Sequence, residues 1–242
     1  MTFSESTFEL EVVDNQGKSM PLPESLVIFG SHSNLPDSSS QGIGAADSIV
    51  ARATAELLAT GQARSALTAG ALAPGFKSTS HDGTSVSSDR ILSGGALIVS
   101  FDAGMWQSNS GYELDALQDA LATLRQAEAH IVVVTSQSPK NCQRIAAAMN
   151  LDFPLLSDTR NLIATRFGVC NALPSYLVDY YKRQGGSLPG FSDDETWTLP
   201  APSRYVIGND GIIAYAEVNT GYGRLIPPAT LVPVLRSRFV SE

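Results

Sequence analysis

The sequence contains very little cysteine. Its 242 residues include only two, Cys142 and Cys170. Two cysteines this far apart resemble neither the disulfide framework of a small secreted domain nor a metal-binding cluster, so we expect both thiols to be reduced. Core packing is the simplest role for each of them, because free cysteine is among the most often buried residue types.

Basic residues and long apolar runs are also scarce. Lysine and arginine total 16 against 24 acidic residues, which gives a net charge of −8. Such a balance rarely leaves the basic face that nucleic acid or an anionic membrane requires, so we expect neither as a partner. No apolar run reaches the roughly 18 residues of a membrane span, and the opening residues lack the pattern of a signal peptide. A cytoplasmic location is the expectation.

Residues 1–66 are expected to form an N-terminal extension that contains a hairpin, a linker and a helix. Residues 8–12 alternate apolar and polar side chains, as a half-buried strand does, and residues 14–17 predict a turn. Residues 26–29 are the candidate second strand. The pattern therefore predicts a small hairpin at the start of the chain.

The linker and helix follow this hairpin. Residues 34–44 are rich in Ser, Gly, Pro and Asp, which is typical of a linker or lid. Residues 45–60 carry apolar side chains at helical spacing, and Gly61 provides a normal helix end. Residues 67–242 are then expected to form the main domain.

Buried strands and amphipathic helices follow one another in the main domain. The apolar runs Leu97–Phe101 and Ile131–Thr135 are typical of buried strands. Ser138 followed by Pro139 predicts the start of a helix, and residues 209–211 (Asn-Asp-Gly) predict a hairpin turn. Four leucines lie at helical spacing between the two strands: Leu114, Leu117, Leu121 and Leu124.

Five short motifs occur in a fixed order: APGF at 73–76, FDAGMW at 101–106, LDFPLLSD at 151–158, LPGF at 188–191 and WTLP at 197–200. In this order they resemble the peroxiredoxins of the AhpC/TSA type, and the resemblance extends from residue 67 to residue 235. It implies an α/β fold of the thioredoxin-like type, with a central mixed β-sheet flanked by helices. It also implies a cis peptide bond before Pro202 and places Pro202, Tyr222 and Arg224 near the functional site.

The resemblance fails at the residues that would perform the family's chemistry. The family reads roughly F-Y-R-G-x-W-C-P-Y-C-N, whereas this chain has Gln107 and Ser110 in place of the two cysteines. Peroxide reduction requires a thiolate that attacks the O–O bond and becomes a sulfenic acid. Gln107 has neither a sulfur nor an ionisable proton. The arginine and the aromatic residue of the pattern are also replaced, by Ala103 and Asp102. We therefore expect no cysteine peroxidase activity.

The altered loop instead predicts a pocket with polar walls. Asp102, Gln107 and Glu113 are the candidate catalytic residues, the two carboxylates as general acid or base groups and Gln107 as a hydrogen-bond donor. The candidate substrate-binding residues are Trp106, Ser108, Asn109, Ser110, Tyr112, Pro202, Tyr222 and Arg224. The sequence indicates neither a metal site nor a cofactor.

Simpler roles are open for the same residues. Asp102 is also suited to solvating a loop, and Glu113 to offsetting the partial positive charge of a helix N-terminus. Ser108 and Ser110 are more easily explained as helix caps than as nucleophiles. A nucleophilic serine needs an adjacent base, and the sequence places none of the three histidines beside the loop.

Three functions are therefore considered, in this order. The first is a cofactor-independent, non-redox enzyme of the isomerase, cyclase or lyase type that acts on a small organic molecule, with specialised metabolism as the expected setting. The second is a ligand-binding or scaffolding pseudoenzyme. The third is a thiol oxidoreductase that uses Cys142 or Cys170. A homodimer is compatible with each of them, and the sequence leaves the substrate open.

Overall fold

The computed structural model describes residues 12–13, 19–20, 49, 52–53, 55–56, 59, 65–103, 111–183, 192, 194–219 and 225–239. Two short strands lie near the N-terminus, β1 (Val12–Val13) and β2 (Ser19–Met20), and they pair antiparallel. A short antiparallel pair is therefore present near the N-terminus, but its strands differ from the predicted ones, and the predicted turn at residues 14–17 lies outside the described residues. Its second strand is β2, whereas the candidate strand at residues 26–29 lies outside the described residues.

The predicted helix at residues 45–60 is confirmed at the positions that are described. Residues 49, 52–53, 55–56 and 59 are all helical, and Ala53 is fully buried. Two side chains of this helix contact Tyr176 of the main domain. The Tyr176 hydroxyl donates a hydrogen bond to Glu56 at 2.8 Å. The Arg52 guanidinium lies 4.4 Å from the centroid of the same tyrosine ring.

The main domain contains the remaining strands and helices. The strands are β3 (Lys77–Thr79), β4 (Ser85–Ser87), β5 (Ala96–Asp102), β6 (Ala129–Thr135), β7 (Leu155–Ser157), β8 (Cys170–Ala172), β9 (Thr198–Pro200), β10 (Ser203–Ile207) and β11 (Ile213–Val218). The helices are α1 (Ser88–Leu92), α2 (Gly111–Gln126), α3 (Pro139–Met149), α4 (Leu162–Arg166), α5 (Ser175–Arg183) and α6 (Val232–Phe239), with 3-10 turns at Thr159–Asn161 and Pro228–Leu231.

Five of the strands form the central sheet, in the order β11-β10-β5-β6-β7. β10 pairs antiparallel with both β11 and β5, whereas β5, β6 and β7 run parallel. The predicted mixed sheet flanked by helices is thus confirmed. The hairpin β3-β4 and the pair β8-β9 form separate two-stranded sheets beside it. No helix in the described ranges is long and apolar enough to cross a membrane.

Side chains of β5 alternate between two apolar clusters, because successive residues of a strand point to opposite faces. Ile98 belongs to the cluster that includes residues of α2, α3 and α6. Leu97, Val99 and Phe101 belong to the cluster on the other face, with residues of α4. The Phe101 ring there lies 5.0 Å from the ring of Phe167, measured between centroids. Packing on both faces of the sheet therefore holds β5, the strand that leads into the candidate site.

The predicted cis peptide bond before Pro202 is wrong. The described part of the chain contains no cis peptide bond, so the bond between Ala201 and Pro202 is trans. The Ala201 N–H donates to the Val169 carbonyl, and the Pro202 carbonyl accepts from Asn219, both at 2.8 Å. These hydrogen bonds hold the segment between β9 and β10 on an extended path, which is also the conformation that a residue before proline favours.

Candidate functional site

The candidate site begins at Asp102, the last residue of β5. Asp102 is only 7% exposed and lies opposite Thr135 of β6 in the parallel register. Pro202 lies at the same end of the sheet, because it precedes Ser203, which pairs with Phe101. Asp102 and Pro202 therefore lie at the same end of the central sheet, and their roles in a site remain predictions.

Several predicted site residues cannot be placed in this arrangement. Residues 104–110 connect β5 to α2, and they lie outside the described residues, as do residues 220–224. The predictions for these positions concern Trp106, Gln107, Ser108, Asn109, Ser110, Tyr222 and Arg224. Their roles remain predictions.

A buried ion pair holds the start of α2, the helix that follows residues 104–110. Arg204 of β10 is fully buried, and its Nη2 donates to both carboxylate oxygens of Glu113, at 2.7 and 2.8 Å. Glu113 lies in the first turn of α2. Charge-assisted hydrogen bonds between a guanidinium and a carboxylate are short and stronger than neutral ones. The start of α2 is therefore held against the sheet at a defined position.

Further polar groups complete this ion pair. The Ser100 hydroxyl donates to Glu113 Oε1 at 2.7 Å, and Arg204 Nη1 donates to the Ile226 carbonyl at 2.7 Å. Glu217 of β11 lies 3.9 Å from Arg204 Nη1 and accepts the Ile226 N–H at 2.8 Å. Because Glu113 is engaged by both Arg204 and Ser100, its geometry favours a positioning role over a role as a free general base.

Sequence reasoning did not single out Arg204. One signal was available: an arginine stands within the run SRYVI, where the flanking residues predict a buried strand. A buried arginine requires a carboxylate partner, because an unpaired buried charge is very costly. The partner itself was not predictable, because Glu113 is distant in sequence and meets Arg204 only through the strand register.

Tyr112, the neighbour of Glu113, is 51% exposed. It therefore lies on the surface at the start of α2. Its role in substrate binding remains a prediction.

A second group of polar side chains lies where β6 ends. Ser136 and Gln137 are 2% and 1% exposed. Among the residues that the structure describes, the Ser136 hydroxyl and both polar atoms of the Gln137 amide have no hydrogen-bond partner. The Ser138 side chain next to them caps α3 by accepting the Asn141 N–H at 3.4 Å. Neither Ser136 nor Gln137 was a predicted site residue, since the sequence marked only the start of α3.

Both thiols lie in surroundings that keep them protonated. Cys142 of α3 is buried, and burial, reinforced by the charge of Asp102, raises the pKa of its thiol to about 12. Its Sγ donates to the Gln137 carbonyl at 3.7 Å. Burial also raises the pKa of the half-buried Cys170 thiol. Both thiols therefore lack the low pKa that makes a cysteine nucleophilic.

Comparison with known proteins places the chain in a family. The model of the AhpC/TSA family matches residues 69–216, which is more than half of the chain, and the chain belongs to this family. Its fold is the thioredoxin-like fold of the peroxiredoxins. No curated protein sequence matches the chain significantly.

Solved structures agree with this fold. Peroxidoxin BcpB from Mycobacterium tuberculosis is similar with a TM-score of 0.56 and 17% identity, over 71% of this chain and 98% of that one. AhpC from Mycobacterium tuberculosis gives a TM-score of 0.53 and 18% identity, over 71% and 93% of the two chains. AhpC from Enterococcus faecalis gives 0.53 and 21%, over 70% and 91%. At these identities the likeness concerns the fold alone.

Proposed function

We propose that this protein is a non-redox member of the AhpC/TSA family, a cofactor-independent enzyme that performs acid–base chemistry on a small, neutral organic molecule. Isomerisation, cyclisation and elimination are the reaction types that such chemistry serves, and specialised metabolism is the proposed setting. The observation that carries the proposal is the buried carboxylate of Asp102 at the end of the site strand, in a chain whose site loop lacks cysteine.

Asp102 is the proposed proton-transfer group. A carboxylate at this position would accept a proton from a carbon, nitrogen or oxygen acid of the substrate. It would return that proton elsewhere on the same molecule in an isomerisation or cyclisation, and to the leaving group in an elimination. Such a reaction needs no oxidant, and it leaves the substrate's overall oxidation state unchanged. Gln107 and Asn109 are proposed to donate hydrogen bonds to the negative charge that develops, and Trp106 is proposed to form an apolar wall.

Arg204 is proposed to act through Glu113 as a positioning residue. The pair holds the first turn of α2 against β10, so it fixes one end of residues 104–110. The other end is fixed by β5, which is buried along its whole length. Fixed positions of β5 and α2 on either side of the proposed site would support the constant geometry that transition-state stabilisation requires.

The second candidate is a ligand-binding pseudoenzyme, and one observation favours it. Glu113, the second predicted acid or base group, is occupied by Arg204 and Ser100. A site in which one of the two predicted acid or base groups belongs to a structural ion pair suits ligand binding as well as catalysis. The third candidate, a thiol oxidoreductase, is disfavoured by the raised pKa values of Cys142 and Cys170.

A cytoplasmic homodimer belongs to the proposal. Two exposed apolar side chains adjoin the ion pair: Tyr112 precedes Glu113, and the backbone of Ile226 binds both Arg204 and Glu217. Contiguous exposed apolar groups are typical of association surfaces, and these two side chains are proposed to belong to one. Sedimentation equilibrium of the wild type and of Ile226→Ser checks this part of the proposal.

The test of the enzyme begins with a thermal-shift screen of small metabolites. Compounds that raise the unfolding midpoint are then assayed for conversion by mass spectrometry. Asp102→Asn should retain binding and lose at least a hundredfold in turnover, because general acid–base groups contribute roughly 100- to 10,000-fold. Asp119→Asn, at an exposed position of α2, is the matched control and should be fully active. Equal turnover by Asp102→Asn and the wild type would contradict the proposal.

A further inference from the structure

Two consecutive buried side chains between β6 and α3 have polar atoms that make no hydrogen bond within the described residues. Ser136 contributes a hydroxyl, and Gln137 contributes the oxygen and the nitrogen of its amide. All three atoms lack a hydrogen-bond partner within the described part of the chain. Most buried polar groups in proteins are hydrogen-bonded, and an unmade bond costs free energy. An unpaired buried amide therefore needs an explanation.

Loose local structure does not explain the unpaired amide of Gln137, because the backbone of this residue makes several hydrogen bonds. The Gln137 carbonyl accepts hydrogen bonds from Ser157 Oγ at 2.6 Å and from Cys142 Sγ at 3.7 Å. The Gln137 N–H lies 3.5 Å from Thr135 Oγ1. The main chain of Gln137 is thus tied to β6, β7 and α3, while its side-chain amide stays unpaired.

The position of these side chains points to a ligand. They follow the carboxyl end of β6, next to the carboxyl ends of β5 and β7, with which β6 runs parallel. In open α/β sheets, ligands bind outside the carboxyl ends of the parallel strands. Asp102 belongs to the same end of the sheet, because it pairs with Thr135 and its charge acts on the Cys142 thiol.

We propose that Gln137 and Ser136 form a subsite that binds a neutral lactam or carboxamide group of the ligand. This subsite rests on the proposed function, since it would hold the ligand beside Asp102. The amide of Gln137 presents a donor and an acceptor side by side. A lactam or carboxamide presents the complementary pair, a carbonyl for Nε2 and an N–H for Oε1. An anionic group is a poorer match, because the Asp102 carboxylate lies at the same end of the sheet.

The test uses the full-length protein and a simple probe, δ-valerolactam, titrated by NMR. Its N-methyl derivative has the same ring without the N–H, so it serves as the ligand control. Gln137→Met removes both polar atoms while keeping an unbranched side chain of similar size. Gln143→Leu, at an exposed position of α3, is the matched control variant.

We expect δ-valerolactam to bind the wild type and Gln143→Leu equally. The N-methyl derivative, and δ-valerolactam with Gln137→Met, should bind at least fivefold more weakly. The unfolding midpoint of ligand-free Gln137→Met should equal or exceed that of the wild type, because replacing an unpaired buried amide by an apolar group is neutral or stabilising. A loss in affinity of less than fivefold, or no binding of δ-valerolactam by the wild type, would overturn the subsite.

A second measurement does not depend on the variant being folded. In the two-dimensional 1H–15N spectrum, the side-chain NH2 pair of Gln137 should shift during the titration, and an unchanged pair would refute the subsite. Asp102→Asn separates this inference from the proposed function. Lactam binding that depends on Gln137 without any catalysis would refute the enzyme alone, whereas catalysis dependent on Asp102 with no effect of Gln137→Met would refute the subsite alone.

Discussion

Arg204 in β10 donates two hydrogen bonds, of 2.7 and 2.8 Å, to the carboxylate of Glu113 in the first turn of α2. The two residues are far apart in sequence, and the arginine side chain is completely shielded from solvent. This contact joins the central sheet to the helix that follows residues 104–110. The ion pair therefore fixes where α2 begins relative to β10 and β5, the strands that carry Arg204 and Ser100.

Neutralising Glu113 should destabilise the folded protein. Glu113→Gln leaves Arg204 buried with only Glu217, 3.9 Å away, to offset its charge. We expect the free energy of unfolding to fall by about 3 kcal/mol, the lower end of the range for breaking a buried ion pair. Urea denaturation followed by circular dichroism measures the change, and Glu195→Gln at an exposed position should leave it unaltered.

The double variant Glu113→Gln/Arg204→Met provides a sharper test of the same contact. Removing both charges should cost less than the sum of the two single changes, because no unpaired charge stays buried. Additive losses would show that the two side chains do not interact.

The Cys142 thiol should be unreactive in the folded protein. Its pKa is raised to about 12 by burial and by the charge of Asp102, so almost no thiolate is present at pH 8. We expect iodoacetamide to alkylate Cys142 at least a hundredfold more slowly in the native protein than in urea, as measured by mass spectrometry. Equal rates in the two states would show that the thiol is accessible and ionised.

The same pKa shift predicts how stability depends on pH. The folded pKa lies above the ordinary value of 9.0, so the thiol favours the folded state below about pH 9. This contribution is lost as the pH rises from about 9 toward 12. Cys142→Ala should therefore lose less stability than the wild type between pH 8 and pH 11. A steeper loss in Cys142→Ala would contradict the shift.

The hydrogen bond between Tyr176 and Glu56 should slow local opening of the N-terminal helix. Tyr176→Phe removes the 2.8 Å hydrogen bond to Glu56 and keeps the ring beneath Arg52. Amide hydrogen exchange at residues 52–59 should become faster, because local opening then breaks one contact fewer. Exchange in β5 should stay unchanged, and unaltered exchange at residues 52–59 would show that this hydrogen bond does not hold the helix.

Local patterns predicted much of the fold. The helix start at Ser138 and Pro139 was correct, because a capping side chain and a first-turn proline act over a few residues. The turn at residues 209–211 also joins its two strands as expected. The partner of the first strand was not predicted: the sequence pointed to residues 26–29, whereas Ser19–Met20 pairs with Val12–Val13.

The site was harder to predict, because its contacts are long-range. Arg204 meets Glu113 and Ser100 only through the pairing of β10 with β5, and this register has no local signal. Gln137 follows a predicted strand, but the sequence cannot show that its amide stays unpaired. The cis bond at Pro202 was inferred from resemblance, and the hydrogen bonds of Ala201 and Pro202 hold an extended trans segment instead.

Peroxide turnover is the most direct test of the central claim, that this member of the AhpC/TSA family is not a peroxidase. The protein is incubated with hydrogen peroxide or an alkyl hydroperoxide, with thioredoxin or glutathione as the reductant, and peroxide loss is followed. We expect no consumption above the rate without protein, since Gln107 and Ser110 replace the family's cysteines and the Cys142 thiol stays protonated. Gln107→Cys alone should not restore full activity, because Ala103 replaces the family's arginine. Peroxide turnover that disappears in Cys142→Ser or Cys170→Ser would contradict the account.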